Sequence, residues 1–183
     1  HNPPGGELVS YPESGWSFPT GSLSRDSELS GLVEERISGI CRISDEFAAD
    51  NTVEVVMAMA AALYPDASWA AWRVPADERA LRLGDALAGA AETLKRKVAV
   101  VGSTDLTHYG RNFGFAPPES LDDPPGWTRK RDRKILDSLL SFDSLVSLKL
   151  AQEERSACSA GGAVAAAAYA RSAGASTGRL LEY

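Results

Sequence analysis

Trp69-Ala70-Ala71-Trp72-Arg73-Val74 and Val98-Ala99-Val100-Val101-Gly102 stand on either side of a helical stretch from Asp77 to Leu94. The first run reads as a strand. The second is short, continuous and apolar, the pattern of a strand buried on both faces. Between them, Leu81, Leu83, Leu87 and Leu94 are among the apolar positions of the helix. Strand, helix and strand at this length predict a βαβ crossover. The expected class is therefore α/β, with a mixed or parallel central sheet flanked by helices.

Upstream, Leu8-Val9-Ser10-Tyr11 and Trp16-Ser17-Phe18 are short strand candidates around a turn at Pro12 to Gly15. Leu29, Leu32, Val33 and Ile37 predict a helix over 26–38, and Val53, Val56, Met57, Ala60 and Leu63 another over 52–64, ended by Pro65-Asp66. Downstream, residues 103–127 form a long loop punctuated by Gly110, Gly114, Pro117, Pro118, Pro124, Pro125 and Gly126. Loops of that length are uncommon in compact domains and often functional. Helices are expected over 128–141, 143–153 and 161–172, with a final strand over 178–182. No repeat or linker divides the chain, so residues 1–183 read as a single domain.

The chain has 183 residues, a formal net charge of −6, 44% hydrophobic residues and 24% charged residues, ordinary values for a soluble globular protein. An acidic balance argues against a nucleic-acid partner, which requires clustered positive charge. The one dense basic run, Arg129-Lys130-Arg131-Asp132-Arg133-Lys134, reads as a solvated helix start. Cys41 and Cys158 form no disulfide framework, and a reducing cytoplasm is the expected location. No apolar run reaches the roughly 18 residues that a membrane span requires. The opening His1-Asn2-Pro3-Pro4-Gly5-Gly6 has no initiator methionine and no signal-peptide pattern. The sequence is expected to begin partway through a domain.

His1 and His108 are the only histidines. His108 lies in Gly102-Ser103-Thr104-Asp105-Leu106-Thr107-His108-Tyr109-Gly110, directly after the apolar run. Ligands in open α/β sheets bind just beyond the carboxyl ends of strands. Asp105, three residues before His108, can orient the imidazole if the loop turns, and histidine titrates near neutrality, where an acid or base is useful. A capped turn with a structural histidine is the alternative. Cys158 precedes a helix, a position that favours the thiolate as nucleophile or soft metal ligand; its alternative is a small buried packing residue. Asp50-Asn51-Thr52-Val53-Glu54 has the form of a helix N-terminus, and Cys41 reads as packing. There is no phosphate-binding glycine loop, serine elbow or paired-carboxylate signature.

Val100 to Gly110 resembles the most characteristic motif of the Memo-like family, whose bacterial and archaeal members are called AmmeMemoRadiSam system protein B. The likeness continues in order along nearly the whole chain. Trp16-Ser17-Phe18-Pro19-Thr20-Gly21 resembles the family's aromatic turn, and Asp50 to Asp66 its acidic-led helix. Glu153 to Cys158 resembles its cysteine segment, and Gly178 to Tyr183 its last strand. The resemblance implies a fold similar to class III extradiol dioxygenases and a non-haem metal, iron(II) or copper, bound through two histidines and a cysteine. It places the cysteine at Cys158, one ligand histidine at His1, and an acid/base histidine at His108, with Asp105 beside it. The other ligand histidine belongs to an upstream segment that this chain is expected to lack. Departures are Asp50-Asn51-Thr52, where members carry a Glu-His-Ser series, and Ser159, where a glycine usually follows the cysteine.

Two functions follow from the resemblance. One is a dioxygenase-like or redox activity on an unknown small molecule. The other is a non-catalytic protein that keeps the fold and binds a small-molecule or peptide ligand. A fragment that pairs with its missing N-terminal segment, or with another chain, is the third expectation.

Overall fold

The computed structural model describes residues 6–42 and 51–183. In chain order the elements are β1 (Leu8–Ser10), β2 (Gly15–Phe18), β3 (Gly21–Arg25), α1 (Ser27–Arg36), β4 (Ile40–Arg42), α2 (Asn51–Leu63), β5 (Ser68–Trp69), β6 (Trp72–Arg73), α3 (Glu78–Leu94), α4 (Pro124–Leu140), α5 (Ser144–Glu153) and α6 (Ala160–Ser172). The class is mixed α/β, as the alternation of patterns predicts. His1 and Asp50 lie outside the described residues.

Two three-stranded sheets form among the described residues, and both are mixed. In the first, β1 lies between β4, which it meets in parallel, and β6, which it meets antiparallel. In the second, β3 lies between its hairpin partner β2 and the parallel β5. The hairpin turns at Pro19-Thr20-Gly21. Gly21 has φ of 141°, a conformation that disfavours side chains, and the Thr20 hydroxyl donates to the Ala58 carbonyl of α2 at 2.7 Å. Leu23, Met57, Ala60 and Ala61 make a small core between this sheet and α2.

The predicted strand over 69–74 is two strands in two sheets. Trp69 pairs with β3, and its carbonyl also accepts from the Asp26 amide at 2.8 Å, at the start of α1. Two residues later, the Ala71 carbonyl accepts from the Tyr11 amide at 3.4 Å, which carries the chain over to the first sheet.

The second predicted strand, 98–102, runs without a ladder partner among the described residues, so the expected crossover has no second strand. One side of this run meets helices. Val98 and Val100 pack against the main core, the Val98 carbonyl accepts from the Tyr169 hydroxyl at 2.7 Å, and Gly102 abuts the backbone of Gly162 in α6. The other side is open, with Val101 61% exposed. The run faces a cavity of about 650 Å³, whose lining also includes Met57, Trp69, Trp72 and Ser159. The last predicted strand, 178–182, likewise makes no ladder among the described residues; the Gly178 amide donates to the Leu140 carbonyl at 2.6 Å.

The main core is helical. Ala80, Leu83, Leu87 and Ala90 recur at helical spacing on one face of α3, all buried. They pack with Leu8, Val33, Ile135, Leu148 and Val164 in one cluster. Each fully buried leucine or valine contributes roughly 1.5–3 kcal/mol of transfer free energy. Asp77 caps α3 by accepting from the Arg79 amide at 3.0 Å. At the other end Lys95 takes the left-handed conformation, φ 52°, that ends many helices and that glycine adopts without strain. Lys95→Gly is therefore expected to stabilise the fold by about 0.5 kcal/mol, because relief of the strained backbone outweighs the extra unfolded-state freedom. Chemical denaturation checks it, and a lowered midpoint would show that the lysine side chain contributes to packing. None of the described helices is long and apolar enough to cross a membrane.

Candidate metal and proton-transfer site

Three segments meet where the open run 98–102 gives way to the loop. The Cys158 amide donates to the Asp105 carbonyl at 3.1 Å, which joins the loop to the residues before α6. The Thr107 amide donates to Asp132 Oδ1 of α4 at 3.0 Å. Between these two anchors the chain turns. His108 Nε2 comes within 3.2 Å of Asp105 Oδ2, so the spacing of three does allow the carboxylate to orient the imidazole.

The same carboxylate oxygen lies 3.8 Å from Cys158 Sγ. Donor atoms of Asp105, His108 and Cys158 all fall within 4.8 Å of one another, close enough to share one small ion. Cys158 also lies 3.6 Å from the Ser159 hydroxyl, at the N-cap of α6. The site is open on one side. The Asp105 side chain is 73% exposed and that of His108 39%. Thus Asp105, His108 and Cys158, named from the sequence, converge. His1 belongs to the residues outside the description.

An aromatic wall backs the histidine. The His108 ring lies 4.6 Å from that of Phe113, which sits on a 3-10 turn, Arg111–Phe113. Phe115 and Tyr109 pack on Trp127 at 5.8 and 5.9 Å. Arg131 lies over Trp127 at 4.5 Å and pairs with Glu154 at 3.3 Å, while Arg155 lies over Phe115 at 4.6 Å. These contacts hold the long loop as a packed surface, and each is worth about 0.5–2 kcal/mol.

Sequence reasoning passed over Asp132. It sits inside the run expected to be a solvated helix start, yet it is only 4% exposed. Its second oxygen accepts from the Tyr183 hydroxyl at 2.8 Å. A single acid among five cations was the available signal. Burial, then the hydrogen bond and charge of Asp132, raise the Tyr183 phenol above its ordinary value of 10.0, with Arg129 opposing. A phenol whose folded value is raised holds its proton more tightly in the folded state. Its stabilising contribution is complete below about pH 10 and is lost as pH rises through the higher folded value. Thermal unfolding of the wild type and Tyr183→Phe between pH 8 and roughly pH 11.5 tests this. The wild type is expected to be the more stable, with the gap narrowing above about pH 10; a gap independent of pH would refute it.

Comparison with known proteins agrees along the whole length. A family model described as Memo-like protein matches residues 1–183. The chain is 31% identical over 193 residues to a MEMO1 family protein of Thermococcus onnurineus, and 29% identical over 195 residues to one of Pyrococcus horikoshii. Both alignments take in the whole chain but 66% of the relative, so the chain spans just under two thirds of the length of these proteins. A MEMO1 family protein of Methanothermobacter thermautotrophicus is 30% identical over 188 residues, 97% of the chain and 61% of that relative.

Proposed function

The chain belongs to the Memo-like family, and on that premise we propose that it is a metal-binding protein of dioxygenase-like or redox character acting on a small molecule. The observation that carries this reading is the convergence of Asp105, His108 and Cys158 donor atoms within 4.8 Å. The Cys158 thiolate and Asp105 carboxylate, with an imidazole from His1, suit a borderline transition metal, iron(II) or copper, better than magnesium or calcium, which take oxygen ligands alone. Cys158 would hold the ion, with Asp105 as a neighbouring oxygen donor and His1 as a further ligand. Such an ion would supply Lewis acidity and a redox couple. His108 would take up or release a proton at Nδ1, with Asp105 fixing the ring through Nε2.

The test is metal content per chain, by mass spectrometry, on protein purified without oxygen. Close to one iron or copper ion is expected. A chain that takes up neither ion, even when offered it, sinks the metal reading. His108→Ala separates the two roles: retained metal with lost proton-dependent turnover fits an acid/base.

The proposal includes a polypeptide partner for the open run 98–102. It is apolar, lacks a ladder among the described residues, and lines a large cavity. Unpaired strand edges recruit other strands. The chain alone is expected to self-associate through this edge, and Val101→Lys to suppress it. Light scattering reads the outcome; unchanged association in the variant would exclude this edge.

A further inference from the structure

We infer that Asp132 is the positioning residue of the site. It acts through the Thr107 amide to hold the 105–108 turn, so that Asp105 and His108 stay directed at Cys158. The inference rests on the metal-site reading above for its functional meaning, and on independent geometry for the anchor itself.

Asp132 is a buried carboxylate in unusual company. Arg129, Lys130, Arg131, Arg133 and Lys134 surround it in sequence. None of the ion pairs among the described residues goes to it. Arg131 and Lys134 both pair with Glu154, and Arg133 pairs with Asp137 at 2.8 Å. The two partners of Asp132 are uncharged donors, the Thr107 amide at 3.0 Å and the Tyr183 hydroxyl at 2.8 Å. A buried charge is costly unless hydrogen-bonded. Here one of its two hydrogen bonds goes to the backbone of the residue next to His108. The carboxylate thus ties the long loop to α4 and to the C-terminal segment, which is itself joined to α4 through the Gly178 amide and the Leu140 carbonyl.

The stretch of loop before Tyr109 has few other hydrogen-bonded fixed points among the described residues. Between Gly102 and Tyr109, among the described residues, the backbone hydrogen bonds to other segments are the Cys158 amide to the Asp105 carbonyl and the Thr107 amide to Asp132. The first sets the distance from loop to cysteine; the second sets the rotation that brings His108 back onto Asp105. Among the described residues the Thr107 hydroxyl is buried without a hydrogen-bond partner, so the side chain is not what holds this residue. Partners of this indirect kind typically change metal affinity by roughly 10–100-fold.

The experiment uses Asp132→Leu, which keeps the branched shape but removes the acceptors, and Asp132→Asn, which keeps an oxygen for the Thr107 amide. Thr107→Val is the control, since it deletes only the orphaned hydroxyl. Amide exchange over residues 105–109 is followed by mass spectrometry on metal-free protein. It is expected to accelerate by at least ~10-fold in Asp132→Leu, with α3 and α6 unchanged, and to stay near wild type in the other two. Should the leucine variant not fold, Asp132→Ala is read in the same way. Exchange over 105–109 equal to wild type, or raised no more than in α3 and α6, overturns the inference. Metal titration of the same proteins then gives the functional arm, a loss of roughly 10–100-fold in Asp132→Leu alone. A wild type that binds no metal would refute the site reading while the exchange result still decides the anchor. Unchanged affinity in Asp132→Leu, with metal bound normally by the wild type, would refute the positioning role.

Discussion

Gly84→Val is expected to destabilise the protein by about 3 kcal/mol, a fall in melting temperature of roughly 6–12 °C for a chain of this size. Gly84 lies midway along α3, on the face that packs on α6. A β-carbon built there meets the Ala165 carbonyl oxygen at 2.5 Å, the Ala168 β-carbon at 2.6 Å and the Tyr169 amide nitrogen at 2.7 Å. Two of these are backbone atoms in the middle of a helix and cannot swing aside. Helix propensity argues the other way, since glycine costs about 1 kcal/mol relative to alanine inside a helix. The clash is the larger effect, because relieving it means separating α3 from α6, and Leu83, Leu87 and Val164 with them. Thermal and chemical unfolding of the purified variant check the value. Wild-type stability in Gly84→Val would mean that the two helices are not seated backbone to backbone as described.

The same contact explains what was legible in the sequence. α3 was visible because its apolar residues recur at helical spacing and Asp77 caps it; those are local facts. The choice of α6 as its neighbour was not visible, for an alanine-rich helix carries little directional signal beyond its small size. β3 was missed because Leu23 is the one apolar residue in Gly21–Arg25, and one buried side chain makes no alternation. Val98 to Gly102 advertised burial through composition, and its Val98 and Val100 side is covered. Composition says nothing about which strand supplies a ladder, and here none of the described strands does. In the site, Asp105 and His108 were legible because they are three residues apart. Cys158 lies 50 residues further along, so its convergence with them was legible only through family resemblance. Asp132 escaped because charge patterning marks a helix face as solvated on average, and one position of that face turns inward.

Cys158→Ala is expected to weaken metal binding by at least about 100-fold while leaving the fold nearly intact. The two halves of that expectation have separate grounds. Cys158 offers the soft donor of the cluster; without it the proposed His1 imidazole and the largely exposed Asp105 carboxylate remain, a weak pair for iron(II) or copper. The structural role of the residue, by contrast, runs through its backbone. Its amide donates to the Asp105 carbonyl at 3.1 Å, and alanine keeps that bond. Among the described residues the Sγ atom makes only long contacts, 3.8 Å to Asp105 and 3.6 Å to Ser159. Unfolding free energy should therefore change by less than about 1 kcal/mol. Cys158→Ser sharpens the distinction, since its hydroxyl can bond to Asp105 yet is a hard and poor ligand for these ions. Serine should behave like alanine in metal content and like the wild type in stability. Anaerobic purification of all three proteins, with metal counted per chain and affinity measured by competition with a chelator, gives the readout. If the alanine variant retains the wild-type complement of metal, the ion sits elsewhere, and Asp105 with His108 must be read as a proton-handling pair without it.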